Sequence, residues 1–164
     1  MREWHQWLRL LLMTGVMTIP QPGISQSACD RVNWQGLSRY APAIRRAEHR
    51  YGLDAALISA VIQVESNFDR WARSPAGANG LMQLMPETAR ELNVRDPWDP
   101  RQNIAGGTRY LKEMIERFDD VYKALWAYNA GPSQVTGARL YGETRQYIPR
   151  VLSLYWCFKK EGGL

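Results

Sequence analysis

Glu65 is the side chain in this sequence whose surroundings most favour proton transfer. It follows an apolar stretch, residues 55–64, and precedes a loop that carries Gly77 and Gly80. Apolar surroundings favour the neutral form of a carboxyl group, and the negative end of a helix dipole acts in the same direction. A carboxyl that keeps its proton near neutral pH can donate it to a leaving oxygen. The pattern predicts a general acid at Glu65; the alternative is a solvated glutamate at a helix end.

The elements that must position Glu65 have the spacing of helices. Apolar residues recur every three or four positions along most of the chain, and alternating strand patterns are scarce. Asp54, Asp99 and Asp120 are placed to begin helices. Pro149 indicates that the last helix begins near Ile148 or is kinked. The sequence therefore predicts an all-α protein, a compact single domain of several short helices with one long glycine-bearing loop.

Length and composition restrict the class of protein further. A chain of 164 residues with 45% apolar residues is expected to form one globular domain. Its net charge of +5 comes from scattered rather than clustered residues, which favours a solvated basic surface and an anionic partner over a nucleic-acid site. The only histidines are His5 and His49, and no metal-ligand cluster is visible. We expect no metal and no cofactor.

The first 28 residues have the composition of a secretory signal peptide. Arginines precede an apolar run, residues 10–19, and small residues precede Cys29. The run is about half of the roughly 20 residues needed to span a bilayer. We predict a signal peptide over 1–28, cleaved after Ser27 or Ala28, and a mature domain over 29–164 that is not inserted in the membrane. An uncleaved anchor is the alternative.

Cys29 and Cys157 are the only cysteines and would lie near the two ends of the mature chain. An exported protein can oxidise such a pair. Closing so long a loop would stabilise the fold by about 4–5 kcal/mol in the chain-entropy model. We therefore predict a disulfide between them. The alternative is a lipoprotein acylated at Cys29, although the leucine expected three residues before it is missing.

Four motifs in order resemble those of the Slt-type (family 1) lytic transglycosylases, whose catalytic domain is lysozyme-like. The resemblance covers roughly residues 40–158, and its order and spacing agree as well as its identity. The motifs are Glu-Ser-x-Phe at 65–68, Gly-Leu-Met-Gln-Leu-Met-Pro at 80–86, Ala-Tyr-Asn-Ala-Gly-Pro at 127–132 and Tyr-x-x-x-Val at 147–151.

The resemblance implies a set of site residues around a glycan-binding cleft. Glu65 would be the catalytic acid. Gln83 would offer both a donor and an acceptor to the sugar's polar groups. The substrate-binding side chains implied are Ser74 near the acid, Gln83 and Met85 along the groove, Tyr128 beside the acid, Asn129 at the N-acetyl group, and Tyr147 at the cleft. Among the tryptophans, Trp71 is the one we expect near the groove. Each of these residues could instead serve only packing or a turn.

The resemblance also implies a reaction and a location. The family cleaves the β-1,4 bond between N-acetylmuramic acid and N-acetylglucosamine without adding water and leaves a 1,6-anhydro ring. We expect an exported, periplasmic, monomeric enzyme of a Gram-negative cell that acts on peptidoglycan strands. A secretion or conjugation apparatus is a candidate partner. The open alternatives are a lysozyme-type muramidase on the same fold, a non-catalytic murein-binding assembly subunit and, from another class, a nucleic-acid binder.

Overall fold

The fold is all-α, as the sequence predicts, and its helices surround one buried helix. The computed structural model describes residues 29–135, 142 and 144–162. Within that part, two isolated antiparallel bridges, Arg73 with Asn79 and Asn79 with Leu84, are the β-type pairing. The helices are α1 (Trp34–Tyr51), α2 (Ala55–Ser66), α3 (Pro86–Glu91), α4 (Pro100–Phe118), α5 (Val121–Ala130) and α6 (Thr144–Lys160), with a short 3₁₀ helix at Pro132–Gln134.

Local side-chain chemistry sets where several helices begin and end. The carboxylates of Asp54, Asp99 and Asp120 each accept a backbone N–H of the first turn of α2, α4 and α5. Such caps satisfy N–H groups that have no partner within the helix. Gly52 ends α1 in the left-handed region at φ 65°, where glycine carries no steric penalty. The three aspartate caps were all predicted from the sequence.

The core is built around α2, which is apolar on every side. Its residues from Ala55 to Gln63 are all buried, and Ile58, Ala60, Val61 and Ile62 are fully inaccessible. Burial of a Val, Leu or Ile side chain contributes about 1.5–3 kcal/mol. The helix is packed between α1 and α6, and α4 packs against both α1 and α5. This surrounded helix ends at Glu65 and Ser66, so the core fixes the position of the carboxylate.

The last helix begins earlier than one of the two alternatives that Pro149 left open. A start near Ile148 is wrong, because α6 runs from Thr144 to Lys160 with Pro149 inside it, and a kink at Pro149 stays a prediction. A proline in a helix removes one backbone hydrogen bond. Burial of Tyr147, Ile148 and Val151 beside α2 offsets that loss.

The predicted disulfide is present in the structure. Cys29 and Cys157 are bonded, with their Cα atoms 5.2 Å apart, and both are buried. The bond ties the segment before α1 to the C-terminal part of α6. The predicted signal peptide and its cleavage site lie outside the described residues. In the part of the chain that is described, no helix combines the length and hydropathy needed to cross a bilayer.

The loop between α2 and α3 is fixed by one buried side chain, Asn103 of α4. Its amide nitrogen donates to the carbonyl oxygens of Asn79 and Pro97, at 3.0 and 2.9 Å, and its Oδ1 accepts the N–H of Met82 at 2.8 Å. At Gly80 a Cβ would collide with the Pro97 carbonyl oxygen and the Asn103 side chain, and φ is 79°. Only glycine fits this turn, which sets the course of the chain toward Gln83.

Candidate active site

The centre of the site is a hydrogen bond between Glu65 and Tyr147. The Tyr147 hydroxyl donates to Glu65 Oε1 at 2.7 Å across a separation of 82 residues. Glu65 is half-buried at the end of α2, and Tyr147 is buried in the first turns of α6. A carboxyl group fixed by a tyrosine at a partly open position can exchange a proton with a bound ligand.

Tyr128 of α5 is the second tyrosine beside Glu65. Its hydroxyl donates to the carbonyl oxygen of Met82 at 2.8 Å, and its ring lies 5.4 Å from that of Tyr110, between centroids. The Ser66 hydroxyl donates to the neighbouring carbonyl of Leu81 at 2.8 Å. These bonds attach the end of α2 and the end of α5 to the same segment, which leads into Gln83.

Both tyrosines keep their protons over the physiological pH range. Burial raises the pKa of Tyr147 well above its ordinary value, and the charge of Glu65 raises it further. The pKa of Tyr128 is also raised well above its ordinary value, first by burial and then by the charge of Glu65. The two hydroxyls are therefore permanent donors near the carboxylate, not bases. The charge of Glu65 thus acts on both hydroxyls.

Gln83 presents a different group than we expected. Both N–H bonds of its amide are used within the loop, since Nε2 donates to the carbonyl oxygens of Ala72 and Gly80 at 2.9 Å each. Its backbone is left-handed at φ 48°. The expectation of a donor and an acceptor is therefore only half right. The carbonyl oxygen Oε1 is the group that the amide can offer to a ligand.

Ser74 and Met85 lie in the same loop but have different surroundings. The Ser74 hydroxyl accepts the N–H of Ala78 at 3.0 Å, so it holds the turn around Gly77. Met85 is 43% exposed, although it is a large apolar residue, and it directly precedes α3. An exposed methionine offers an adaptable apolar surface to a ligand.

Asn129 is oriented by a residue that sequence reasoning missed. The Thr144 hydroxyl, buried at the start of α6, donates to Asn129 Oδ1 at 2.7 Å. This bond directs the amide so that its nitrogen is the group left to donate. Thr144 lies just before the Tyr-x-x-x-Val motif, and no periodicity or local pattern signals its role.

The structure thus brings together the ends of α2, α5 and α6 with the loop that carries Gln83. Glu65, Tyr128 and Tyr147 form one cluster, and the Gln83 segment is bonded to Tyr128 and Ser66. Among the described residues, no group of three or more His, Cys, Asp or Glu side chains could hold a metal ion. The arrangement can present a carboxyl group, a carbonyl acceptor and an amide donor to one polar ligand, while the two tyrosine hydroxyls bond to Glu65 and to the Met82 carbonyl.

Comparison with known sequences gives a consistent result. The profile of the transglycosylase SLT domain family matches residues 42–148. The transglycosylase of Enterobacteria phage PRD1 is 41% identical over 118 residues, covering 71% of this chain and 43% of that protein. The membrane-bound lytic murein transglycosylase F of Desulfosudis oleivorans is 43% identical over 110 residues, covering 63% of this chain and 24% of that protein. The chain spans less than half the length of these relatives.

Solved structures agree with the fold. The lytic transglycosylase Slt of Pseudomonas aeruginosa, solved as an inactive mutant, has a TM-score of 0.66 and 31% identity over 76% of this chain and 24% of that one. The 70 kDa soluble lytic transglycosylase Slt70 of Escherichia coli has a TM-score of 0.67 and 26% identity over 76% of this chain and 24% of that one. With the site motifs in the order expected, and the family profile matching most of the chain, this protein belongs to the transglycosylase SLT domain family.

Proposed function

We propose that this protein is a peptidoglycan lytic transglycosylase. It cleaves the β-1,4 bond between N-acetylmuramic acid and N-acetylglucosamine and leaves a 1,6-anhydro muramoyl end. The observation that carries the proposal is the hydrogen bond from Tyr147 to Glu65, with Tyr128 and the Gln83 loop beside it. Family membership and the names of the relatives support the substrate.

In the first step, Glu65 acts as the acid. Its carboxyl proton moves to the glycosidic oxygen, and the bond from that oxygen to C1 breaks with its electron pair on the oxygen. The carboxyl group becomes a carboxylate as this happens. The Tyr147 hydroxyl already donates to it and stabilises the charge that develops, because hydrogen bonds to ionised acceptors are the stronger ones.

In the second step, Glu65 acts as the base. The C6 hydroxyl oxygen of the muramoyl sugar forms a bond to C1, and the hydroxyl proton passes to the Glu65 carboxylate. The carboxyl group is restored, and no water is added. A nucleophile within the substrate removes the need to capture a second reactant, and such attack can reach effective molarities of about 10⁵–10⁸ M. A second carboxylate, which most glycosidases use, is then not required.

The remaining site residues position the glycan. Gln83 Oε1 accepts a hydrogen bond from a sugar hydroxyl or N-acetyl N–H. The Asn129 amide nitrogen, oriented by Thr144, donates to the N-acetyl carbonyl. Met85 packs against a sugar face, and Ser74 holds the loop that lines the groove. Tyr128 fixes the Gln83 loop by donating its hydroxyl proton to the carbonyl oxygen of Met82.

The test is digestion of purified peptidoglycan by the wild-type chain and by Glu65→Gln, which keeps the size and polarity of the side chain but cannot exchange the proton. We expect anhydro muropeptides from the wild type and none from the variant. Released fragments with reducing muramic ends, heavier by one water on mass spectrometry, would instead identify a lysozyme-type muramidase. Binding to sacculi without any release would identify a non-catalytic binding subunit.

The location and partners are part of the proposal. A disulfide between Cys29 and Cys157 suits an oxidising compartment. We propose an exported, monomeric, periplasmic protein of a Gram-negative cell that opens murein locally for a secretion or conjugation apparatus. Cell fractionation and light scattering test the compartment and the monomer. Deletion of the gene, with transport through each envelope apparatus as the readout, tests the partner.

A further inference from the structure

The surface next to the Gln83 loop carries two neighbouring tryptophans, Trp71 exposed and Trp98 half-buried, that the proposed mechanism does not use. Trp71 is 63% exposed, the highest exposure among the large apolar side chains of the described residues. Its ring lies 5.8 Å from that of Trp98, between centroids, at an angle of 38°. The Arg70 guanidinium lies 4.5 Å from the centre of the Trp71 ring. We call Arg70, Trp71 and Trp98 the tryptophan platform.

The platform is held in place by its backbone, not by burial in the core. The N–H of Trp71 donates to the Asp69 carboxylate at 2.9 Å, and the N–H of Trp98 donates to the Asp96 carboxylate at 2.9 Å. Each tryptophan is therefore the third residue of an Asp-x-Trp turn. Two loops distant in sequence are shaped alike and bring their indole rings together at the surface.

The platform is attached through its neighbouring residues to the loop that carries Gln83. Trp71 precedes Ala72, whose carbonyl oxygen accepts both the Gln83 side-chain amide and the backbone N–H of Gly80, at 2.9 Å each. Trp98 follows Pro97, whose carbonyl oxygen accepts the Asn103 amide at 2.9 Å. The residues next to both tryptophans, Ala72 and Pro97, therefore adjoin the turn at Gly80, which leads to Gln83.

An exposed aromatic surface in this place requires an explanation. Large apolar side chains left in water lose the burial energy that places most tryptophans inside proteins. Contiguous exposed apolar surface commonly marks a binding site. Indole rings match the apolar face of a pyranose ring, and the neighbouring groove already offers polar groups suited to sugars.

We propose that the tryptophan platform is an additional saccharide subsite, in which Trp71 stacks on a sugar of the same glycan strand beyond the one contacted by Gln83. Trp98 and Arg70 hold the Trp71 ring in its orientation. The inference rests on the proposed function, because it assigns the platform to the strand that the groove binds. It predicts a preference for long glycan strands over short ones.

The experiment measures binding to a murein tetrasaccharide and a murein octasaccharide in the Glu65→Gln background, which prevents cleavage. Trp71→Ala is expected to weaken binding of the octasaccharide by about three- to tenfold, the size of one aromatic stacking contact, and to leave the tetrasaccharide unchanged. Trp71→Phe should restore part of the loss. Tyr122→Ala, which removes another exposed aromatic ring at the start of α5, is the matched control and should change neither.

The outcomes separate this inference from the proposed function. If Trp71→Ala binds both oligosaccharides as tightly as its parent, the platform is not a subsite, whatever the enzyme does in the cleft. Equal losses for the two lengths would also overturn it, because they would indicate a distorted cleft. If the parent binds neither oligosaccharide and the wild type releases nothing from murein, the proposed function fails and this inference fails with it.

Discussion

The hydrogen bond between Tyr147 and Glu65 gives the sharpest test of the mechanism. Tyr147→Phe removes one oxygen atom and keeps the buried ring, so the packing of α6 against α2 is preserved. What is lost is a donor at 2.7 Å from the Glu65 carboxyl oxygen. If Glu65 is the acid, this donor matters most when the carboxyl group becomes charged.

The size of the effect follows from that difference in charge. A hydrogen bond contributes about 0.5–1.5 kcal/mol with a neutral acceptor and about 1.5–3 kcal/mol with a charged one. The bond therefore strengthens by about 1–1.5 kcal/mol as Glu65 gives up its proton. Its removal should lower kcat/KM by about five- to twelvefold, mostly through kcat. Glu65→Gln should be inactive.

The assay is the initial rate of soluble muropeptide release from purified murein. The matched control is Tyr155→Phe, which lies on the same helix and also removes a hydroxyl that donates to a carboxylate, that of Asp54, at 3.4 Å. Since Asp54 caps α2 at the end opposite Glu65, this control should keep the wild-type rate. Wild-type activity in folded Tyr147→Phe, or an equal loss in Tyr155→Phe, would refute the reasoning.

Three further predictions concern stability, and urea denaturation measures each. Cys157→Ser should lower the free energy of unfolding by about 4–5 kcal/mol in the chain-entropy model, because the bridged residues are 128 positions apart, and a loss near zero would contradict it. Gly80→Ala should lower the free energy of unfolding by more than about 1 kcal/mol, since φ is 79° and the added Cβ meets Pro97 and Asn103. The matched control is Gly77→Ala, at φ 93° with open space around it, which should lower the free energy of unfolding by less. Because the folded-state pKa of Tyr147 is raised, its contribution to the free energy of unfolding is complete below about pH 10 and is lost as the pH rises further, by about 1.4 kcal/mol per pH unit. Above about pH 10, the free energy of unfolding of Tyr147→Phe should therefore fall with pH less steeply than that of the wild type, by that amount.

Local patterns were sufficient for the presence of the helices and for several of their ends. The caps at Asp54, Asp99 and Asp120 depend on side chains that bond to backbone within three residues, so the sequence contains the whole interaction. The apolar stretch before Glu65 predicted a helix for the same reason, and the structure shows that this helix is buried on all sides. Pro149 shows the limit of such reasoning, because it left two alternatives for the last helix and only the structure places the start at Thr144.

The candidate site was found by its motifs, but its geometry was not contained in them. The sequence named Glu65, Gln83 and Tyr147 as site residues, and their chemical roles stay predictions. The motifs do not reveal that Tyr147 donates a hydrogen bond to Glu65 across 82 residues. They also do not reveal that both N–H groups of the Gln83 amide donate to carbonyl oxygens of its own loop.

The sequence by itself determined which residue types this protein has for chemistry, where several of its helices begin, and to which family it belongs. The tertiary structure alone decided which atoms face one another: the Tyr147 hydroxyl and Glu65, the Thr144 hydroxyl and Asn129, and the rings of Trp71 and Trp98. The physical reason is range. Capping and periodicity act between residues a few positions apart, whereas these contacts depend on how whole helices and loops pack, which no local pattern records.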